Sequence, residues 1–277
     1  MQNAECRTQN EKKAGKHIVS KAMVFVFLVF FAAGFCFAEG EKLTGKQIAE
    51  MADDANRSKK GIVQEGLMKL IDMESNDTEK RKFKIAGKTE GGKSMSMFRF
   101  TDSTYRGTTF LTIEREGSDL MYIYLESVGS PRQVEGSDKE SKFVDTDISN
   151  EDMSGGAVGE YTYKRLDDRK IAGFDCYVIE RYPEYDDTKY SKHLTFLTKK
   201  HLIGAAVKSY SKEGRLVKTI RQGDIEKISE DLYVAKKTTV TDVREKHKTV
   251  LEITKIKEKN IPAGYFNKNR MDRKWGF

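Results

Sequence analysis

Cysteine is nearly absent from this chain. Two of its three cysteines, Cys6 and Cys36, fall in the first 38 residues, and Cys176 stands alone in the rest. No intramolecular disulfide is then possible outside that leading stretch, so the remainder must rest on its own core. Proline is as scarce, with only Pro131, Pro183 and Pro262 in 277 residues, none in the middle of a candidate strand. The single tryptophan, Trp275, sits in a basic tail, RMDRKWGF. Catalytic motifs are missing too. There is no GxSxG, no phosphate-binding glycine loop and no HExxH. His193, His201 and His247 are far apart in sequence, and a lone cysteine cannot complete a zinc set. His193 falls on a strand, where a satisfied histidine is the ordinary outcome. Asp53-Asp54, Asp167-Asp168 and Asp186-Asp187 are paired acids that read as helix-face or turn residues, and adjacent acids on a strand point to opposite sides and cannot easily share one proton. Asp145 and Asp147 share a spacing that nothing nearby completes into a calcium loop. The expectation is a protein that is not an enzyme, with no catalytic residue, metal or cofactor.

Long apolar runs are confined to one place. Residues 22–35 are an uninterrupted 14 apolar or small residues, led by Lys12, Lys13, Lys16, His17 and Lys21. Cys36 and Ala38 put small side chains where a signal peptidase reads them, which predicts export and cleavage after Ala38. The run is shorter than the roughly 20 residues a membrane-spanning helix needs. Acylation at Cys36 is not expected, because bulky Phe35 stands where a lipidation motif wants a small residue. Residues 1–38 are therefore read as a cleavable signal peptide and 39–277 as one domain of 239 residues. Five basic and two acidic residues leave with the leader, so a net charge of +7 becomes +4. Without a basic cluster, that charge is a solvated surface and excludes a nucleic-acid partner.

Beyond the leader, Thr44 is followed at i+3 by Gln47 and then by apolar residues at 48, 51, 52 and 55, a capping box opening an amphipathic helix that ends near Arg57. From 61 to 259 the pattern changes to stretches rich in Val, Ile, Thr, Tyr and Phe, separated by Gly, Asp, Asn and Ser. Candidate strands are 61–73, 80–89, 93–101, 109–116, 119–125, 160–166, 170–182, 191–199, 204–211, 215–227, 232–242 and 248–257. Glu90-Gly91-Gly92, the turn at 115–118 and the turn at 211–214 place glycine where tight hairpins need positive φ. Links this short make antiparallel pairs. The fold class is mainly β with a few helices: one long, curved antiparallel sheet of about eleven or twelve strands.

The chain is organised around residues 121–153. They leave a strand, are broken at Gly129-Ser130-Pro131, cross a polar stretch (GSDKESK), and meet Phe143, Val144 and Ile148. Ser149 and Asp152 then cap a short helix. Several strands are apolar on both faces: Met95, Met97, Phe98 and Phe100 crowd into six residues, Phe110, Leu111 and Ile113 into four. Such faces fit a sheet with core on one side and cover on the other, or a concave apolar wall for a ligand.

The stretch 50–60 (EMADDANRSKK), the segment 105–111 and the organising stretch itself resemble the outer-membrane lipoprotein-sorting protein family, LolA-like in kind. So do 190–198, 214–219 and 249–252. The resemblance implies an unclosed half-barrel of about 11 strands, covered by helices and a lid loop, around an apolar cavity that receives acyl chains in the periplasm. On that reading Met95, Met97, Phe98, Phe100, Phe110 and Leu111 line the cavity, with Ile113, Tyr122, Tyr124, Leu194 and Phe196. Phe143, Val144, Ile148 and Met153 form the lid. The implied partners are acylated lipoproteins or lipids, an inner-membrane transporter complex and an outer-membrane acceptor, with the carrier a monomer. A different class of function, a regulatory or scaffold module that senses lipid or lipoprotein beside a membrane complex, uses the same fold. The chain departs from the family at Asp145, where glycine is usual, at Asn150, where an aromatic is usual, and at Leu125-Glu126, which lacks the usual proline.

Overall fold

The structure, a computed structural model, describes residues 42–102, 104–115, 119–230 and 232–276. The leader with its Cys36, and residues 116–118 of the hairpin turn expected at 115–118, lie outside them. Among the described residues thirteen antiparallel strands form one sheet. The first six are β1 (Ile62–Asp72), β2 (Thr78–Glu90), β3 (Lys93–Phe100), β4 (Thr109–Ile113), β5 (Leu120–Tyr124) and β6 (Pro131–Gln133). The rest are β7 (Tyr161–Ile171), β8 (Phe174–Pro183), β9 (Tyr190–Thr198), β10 (Gly204–Ser211), β11 (Leu216–Lys227), β12 (Tyr233–Asp242) and β13 (His247–Glu258). Their order, β6-β5-β4-β3-β2-β1-β13-β12-β11-β10-β9-β8-β7, is two meanders joined back to back along β1 and β13. Because β6 and β7 end up on opposite edges, the sheet is an unclosed half-barrel.

Two details depart from expectation. Pro131 does not simply break the sheet but opens a three-residue edge strand, paired to β5 through Tyr122–Gln133. Proline is tolerated there because an edge strand has one side free of ladder bonds. The stretch 170–182 is divided by a turn at Ala172-Gly173, both at positive φ, so β7 is longer than its apolar pattern suggested.

The hairpin at Gly91-Gly92 has φ of +60° and +75°, the left-handed pair a two-residue turn requires. Helix α1 (Gly45–Ala55) carries the full capping box, with Gln47 N donating to Thr44 Oγ1 at 3.2 Å and Thr44 N to Gln47 Oε1 at 2.8 Å. Its buried face, Ile48 and Ala52, packs on Ile179 and Leu197. Where β1 bulges against β13, a Cβ on Gly66 would stand 2.5 Å from the Glu252 carbonyl oxygen and 2.6 Å from the Phe83 ring. Backbone cannot give way there, so Gly66→Ala is expected to cost about 3 kcal/mol, read as a lower urea midpoint at unchanged slope.

Candidate functional site

The connection from β6 to β7 must travel from one edge of the sheet to the other, and the concave face is its route. It first makes a 3-10 helix (Gly136–Glu140), then a tight hairpin closed by a Lys142–Ser149 bridge, then helix α2 (Asn150–Ser154). Phe143, wholly buried at the hairpin's start, drops into a nest of aromatic rings. Its centroid lies 5.4 Å from Phe98, 5.8 Å from Phe100 and 5.3 Å from Phe110. Ile148, Val144 and Met153 pack on the same cluster, which continues through Phe83 and Met68 to Ile85, Leu251 and Ile253. These last three also line a cavity of about 400 Å³ that reaches to Asn56 at the end of α1. Its lining is amphiphilic: Ile62, Ile203 and Leu232 stand with Gln64, Gln222 and Thr238.

The hairpin is held by a latch. Arg81, 1% exposed, donates from Nη1 to the Val144 carbonyl at 2.6 Å. Glu79 clamps the same guanidinium at 2.7 and 3.0 Å, which holds the Glu79 carboxyl below its usual range. The guanidinium also lies 4.1 Å from the centroid of the Tyr105 ring, and the Tyr105 hydroxyl donates to Asp145. That bond to a carboxylate raises the Tyr105 pKa. Behind the hairpin, buried Asp147 takes hydrogen bonds from Thr249 at 2.7 Å and pairs with His247 Nδ1 at 2.8 Å. The latch works against strain, because Val144 and Asp145 have φ of +48° and +59°. Aspartate tolerates that region, a β-branched valine does not, and each such residue costs on the order of 1–3 kcal/mol.

Helix α2 is seated on polar groups. Its capping box is complete, Ser149 N donating to Asp152 Oδ2 at 2.7 Å. Asp152 also forms a buried ion pair with Lys218 of β11 and accepts from the Tyr190 hydroxyl at 3.2 Å. Burial pushes this carboxyl's pKa up, but Lys218 and Ser149 outweigh it and hold it below its ordinary value. Nearby His193 bonds Ser209 Oγ at 2.9 Å and meets the Tyr190 ring edge-on at 4.8 Å. Burial drives its pKa down to about 3, so it stays neutral. Asn150, expected as a gap in apolar cover, is buried and donates to the Asp138 carbonyl at 2.9 Å, stitching α2 to the 3-10 helix.

Strand alternation divides the residues expected on one wall. Phe98, Phe100 and Phe110 face Phe143, Val144, Ile148 and Met153, the residues expected as the lid. Met95, Met97, Leu111, Ile113, Tyr122 and Tyr124 lie on the opposite face, beneath Ile261, Phe266, Met271 and Trp275 of the C-terminal tail. Arg99 fastens that tail, donating to the Met271 carbonyl at 2.6 Å. Leu194 and Phe196 join Cys176 and Val178 in a third cluster, away from the lid. The sequence reading missed Arg81, Lys218 and the Asp147–His247 pair. Arg81 was detectable in principle, since it is in phase with Phe83 and Ile85. Among the described residues no group of histidine, cysteine and acidic side chains is placed to hold a metal, and no helix is long and apolar enough to cross a membrane.

A family model described only as an uncharacterized protein family matches residues 91–273. No curated protein matches the chain. Among solved structures, an outer-membrane lipoprotein-sorting protein domain from Vibrio parahaemolyticus is similar at 21% identity and a TM-score of 0.78, over 83% of this chain and 98% of that one. A DUF1329 family protein from Desulfovibrio piger is 26% identical with a TM-score of 0.75, over 82% of this chain and 97% of its own. A LolA superfamily protein from Nitrosomonas europaea is 19% identical with a TM-score of 0.64, over 82% and 99%.

Proposed function

The chain belongs to that uncharacterized family and has the lipoprotein-sorting fold, and on this premise we propose that it is a carrier that shields acyl chains from water. The observation that carries the proposal is the cavity of about 400 Å³ on the concave face, whose lining residues Ile85, Leu251 and Ile253 belong to the same apolar cluster as the aromatic nest that Phe143 plugs. It falls within the usual size range of small-molecule sites. A sixteen-carbon chain exposed to water costs about 12 kcal/mol, at about 0.8 kcal/mol for each methylene. A carrier must offset most of that and still let go. A nest whose plug sits on a strained, latched hairpin suits both demands, since withdrawing Phe143 extends the apolar surface available to cargo. Gln64, Gln222 and Thr238 give the polar linkage of an acylated protein or lipid somewhere to bond.

In this reading residues 1–38 direct export, the mature domain works in the periplasm, and cargo passes from an inner-membrane transporter complex to an outer-membrane acceptor. The test is native mass spectrometry of the mature protein after gentle extraction. Bound or exchangeable acyl species are expected. Thr238→Phe, which fills the cavity, should weaken binding of a fluorescent fatty acid about tenfold, the value of two displaced methylenes. Repeated absence of any bound acyl chain would sink the carrier reading.

A further inference from the structure

The walls of the concave cavity carry no charge. None of its lining residues is Asp, Glu, Lys, Arg or His, in a chain that is 34% charged. The polar cleft of about 530 Å³ that reaches the same helix α1 is lined by Asp53, Arg57, Lys93 and Glu114 among others, so charged walls are available to this surface. What the concave cavity offers a head group is amides. Asn56, at the end of α1, donates from Nδ2 to the Ala52 carbonyl at 2.5 Å and to the Leu202 carbonyl at 3.0 Å. Those two carbonyls fix which way round the amide sits, and with both N–H groups engaged its oxygen is left to accept. Gln222 Nε2 reaches Thr238 Oγ1 at 3.4 Å, long for such a bond, and its Oε1 accepts from no described residue. The Gln64 carboxamide bonds to no described residue at all. Gly204 keeps the Gln222 oxygen open. A Cβ there would stand 3.3 Å from Oε1, and no left-handed backbone asks for glycine at that position.

Resting on the carrier reading, we infer that this cavity selects fatty amides, acyl chains that end in an uncharged amide, over fatty acids and fatty amines of the same length. A carboxylate brings acceptors only. It would face the Asn56 and Gln222 oxygens with no cation in the walls to match it. An ammonium meets those oxygens but finds no anion. Either ionised head is drawn from water without a counter-charge, which costs more than moving a neutral amide. The amide has the complementary groups: its N–H donates to Asn56 Oδ1 or Gln222 Oε1, and its carbonyl accepts from Gln64 Nε2. Ile62, Ile203 and Leu232 cover the chain that follows. A fatty acid still binds through its chain, more weakly.

The preference is set by the head group alone, so ligands with one chain and three heads isolate it. Octanamide should bind about tenfold or more tightly than octanoate or octylammonium at pH 8, where both competitors are ionised. A single isosteric change should reorder the series. Gln222→Glu exchanges the amide nitrogen for a second oxygen and puts a carboxylate among the cavity's polar groups. The variant should bind octylammonium more tightly than octanamide, while octanoate falls further behind.

The experiment is calorimetric titration of the purified protein, stripped of lipid, with octanamide, octanoate and octylammonium chloride at pH 8. Saturable binding of octanamide, ahead of the other two, is expected, and Thr238→Phe should weaken it because that change fills the cavity. Circular dichroism checks that both variants remain folded, and the comparison of the three heads on the unaltered protein needs neither. Octanoate or octylammonium binding as tightly as octanamide would overturn the head-group selection and leave the carrier reading standing. Undiminished octanamide binding by folded Thr238→Phe, or an unchanged order of ligands in folded Gln222→Glu, would overturn the selection by this cavity. Failure of all three ligands to bind would overturn the selection together with the carrier reading on which it rests.

Discussion

Lys218→Ala is expected to destabilise the protein by about 3–5 kcal/mol, because it strands a buried carboxylate. The Lys218 side chain is 4% exposed and that of Asp152 10%, so neither charge can turn to water. Asp152 does two jobs at once: it closes the capping box of α2 with Ser149 and anchors that helix to β11. Removing the cation leaves the cap in place but desolvated against nothing. The pH dependence has a defined sign. A carboxyl held below its ordinary pKa stabilises the fold above the unfolded value and ceases to as pH falls through the folded one. The unaltered protein should therefore lose this contribution in acid, and Lys218→Ala should flatten that part of the profile. Combining Lys218→Met with Asp152→Asn removes both charges, and the asparagine oxygen can still accept from Ser149 N. The double variant should recover most of the lost stability in urea titrations. A double variant as unstable as Lys218→Ala would mean that the pair supplies packing and not charge balance.

Much of this architecture was legible because it follows from local rules. Thr44 with Gln47, and Ser149 with Asp152, are spacings whose chemistry is complete within four residues, and both helices start where those boxes stand. The Gly91-Gly92 turn is equally local. The crossing at 121–153 could be read as a break between two runs of strands, and sheet order makes it span the sheet by placing β6 and β7 on opposite edges. What sequence could not supply was the choice of face. Met95 and Met97 alternate with Phe98 and Phe100, so the two pairs must point apart, but both pairs are apolar. Only the partners decide: a buried loop meets the phenylalanines, a folded-back tail meets the methionines. The tail's Ile261, Phe266 and Met271 have no period to announce them. Arg81 and Lys218 were overlooked for the opposite reason, since a charged residue within a strand reads as solvent-facing. Each is in phase with apolar neighbours, Phe83 and Ile220, and that phase was the available signal.

Phe143→Ala should cost about 3–5 kcal/mol, the range for emptying a fully buried aromatic site. The ring stacks on Phe100 at an interplanar angle of 15° and meets Phe98 edge-on at 89°, contacts worth about 0.5–1.5 kcal/mol beyond their area. How the loss is distributed separates a lid from ordinary core. The hairpin at 142–149 holds two residues at positive φ, with Arg81 gripping the Val144 carbonyl. Without the Phe143 anchor, strain and latch are left nearly balanced, so the hairpin should open while the sheet stays closed. Amide exchange should then accelerate across 142–149 and much less in β1, β2 and β13. Fatty-acid binding on the concave face should strengthen in step, because the emptied aromatic nest adds apolar surface beside the cavity. Asp145→Gly is the complementary change: it relieves the left-handed backbone at one position but gives up the Tyr105 hydrogen bond, and so should leave exchange in the hairpin closer to that of the unaltered protein. Should Phe143→Ala instead lower protection uniformly, hairpin and sheet together, Phe143 belongs to the cooperative core and a moving part of the proposed carrier must be sought at α1.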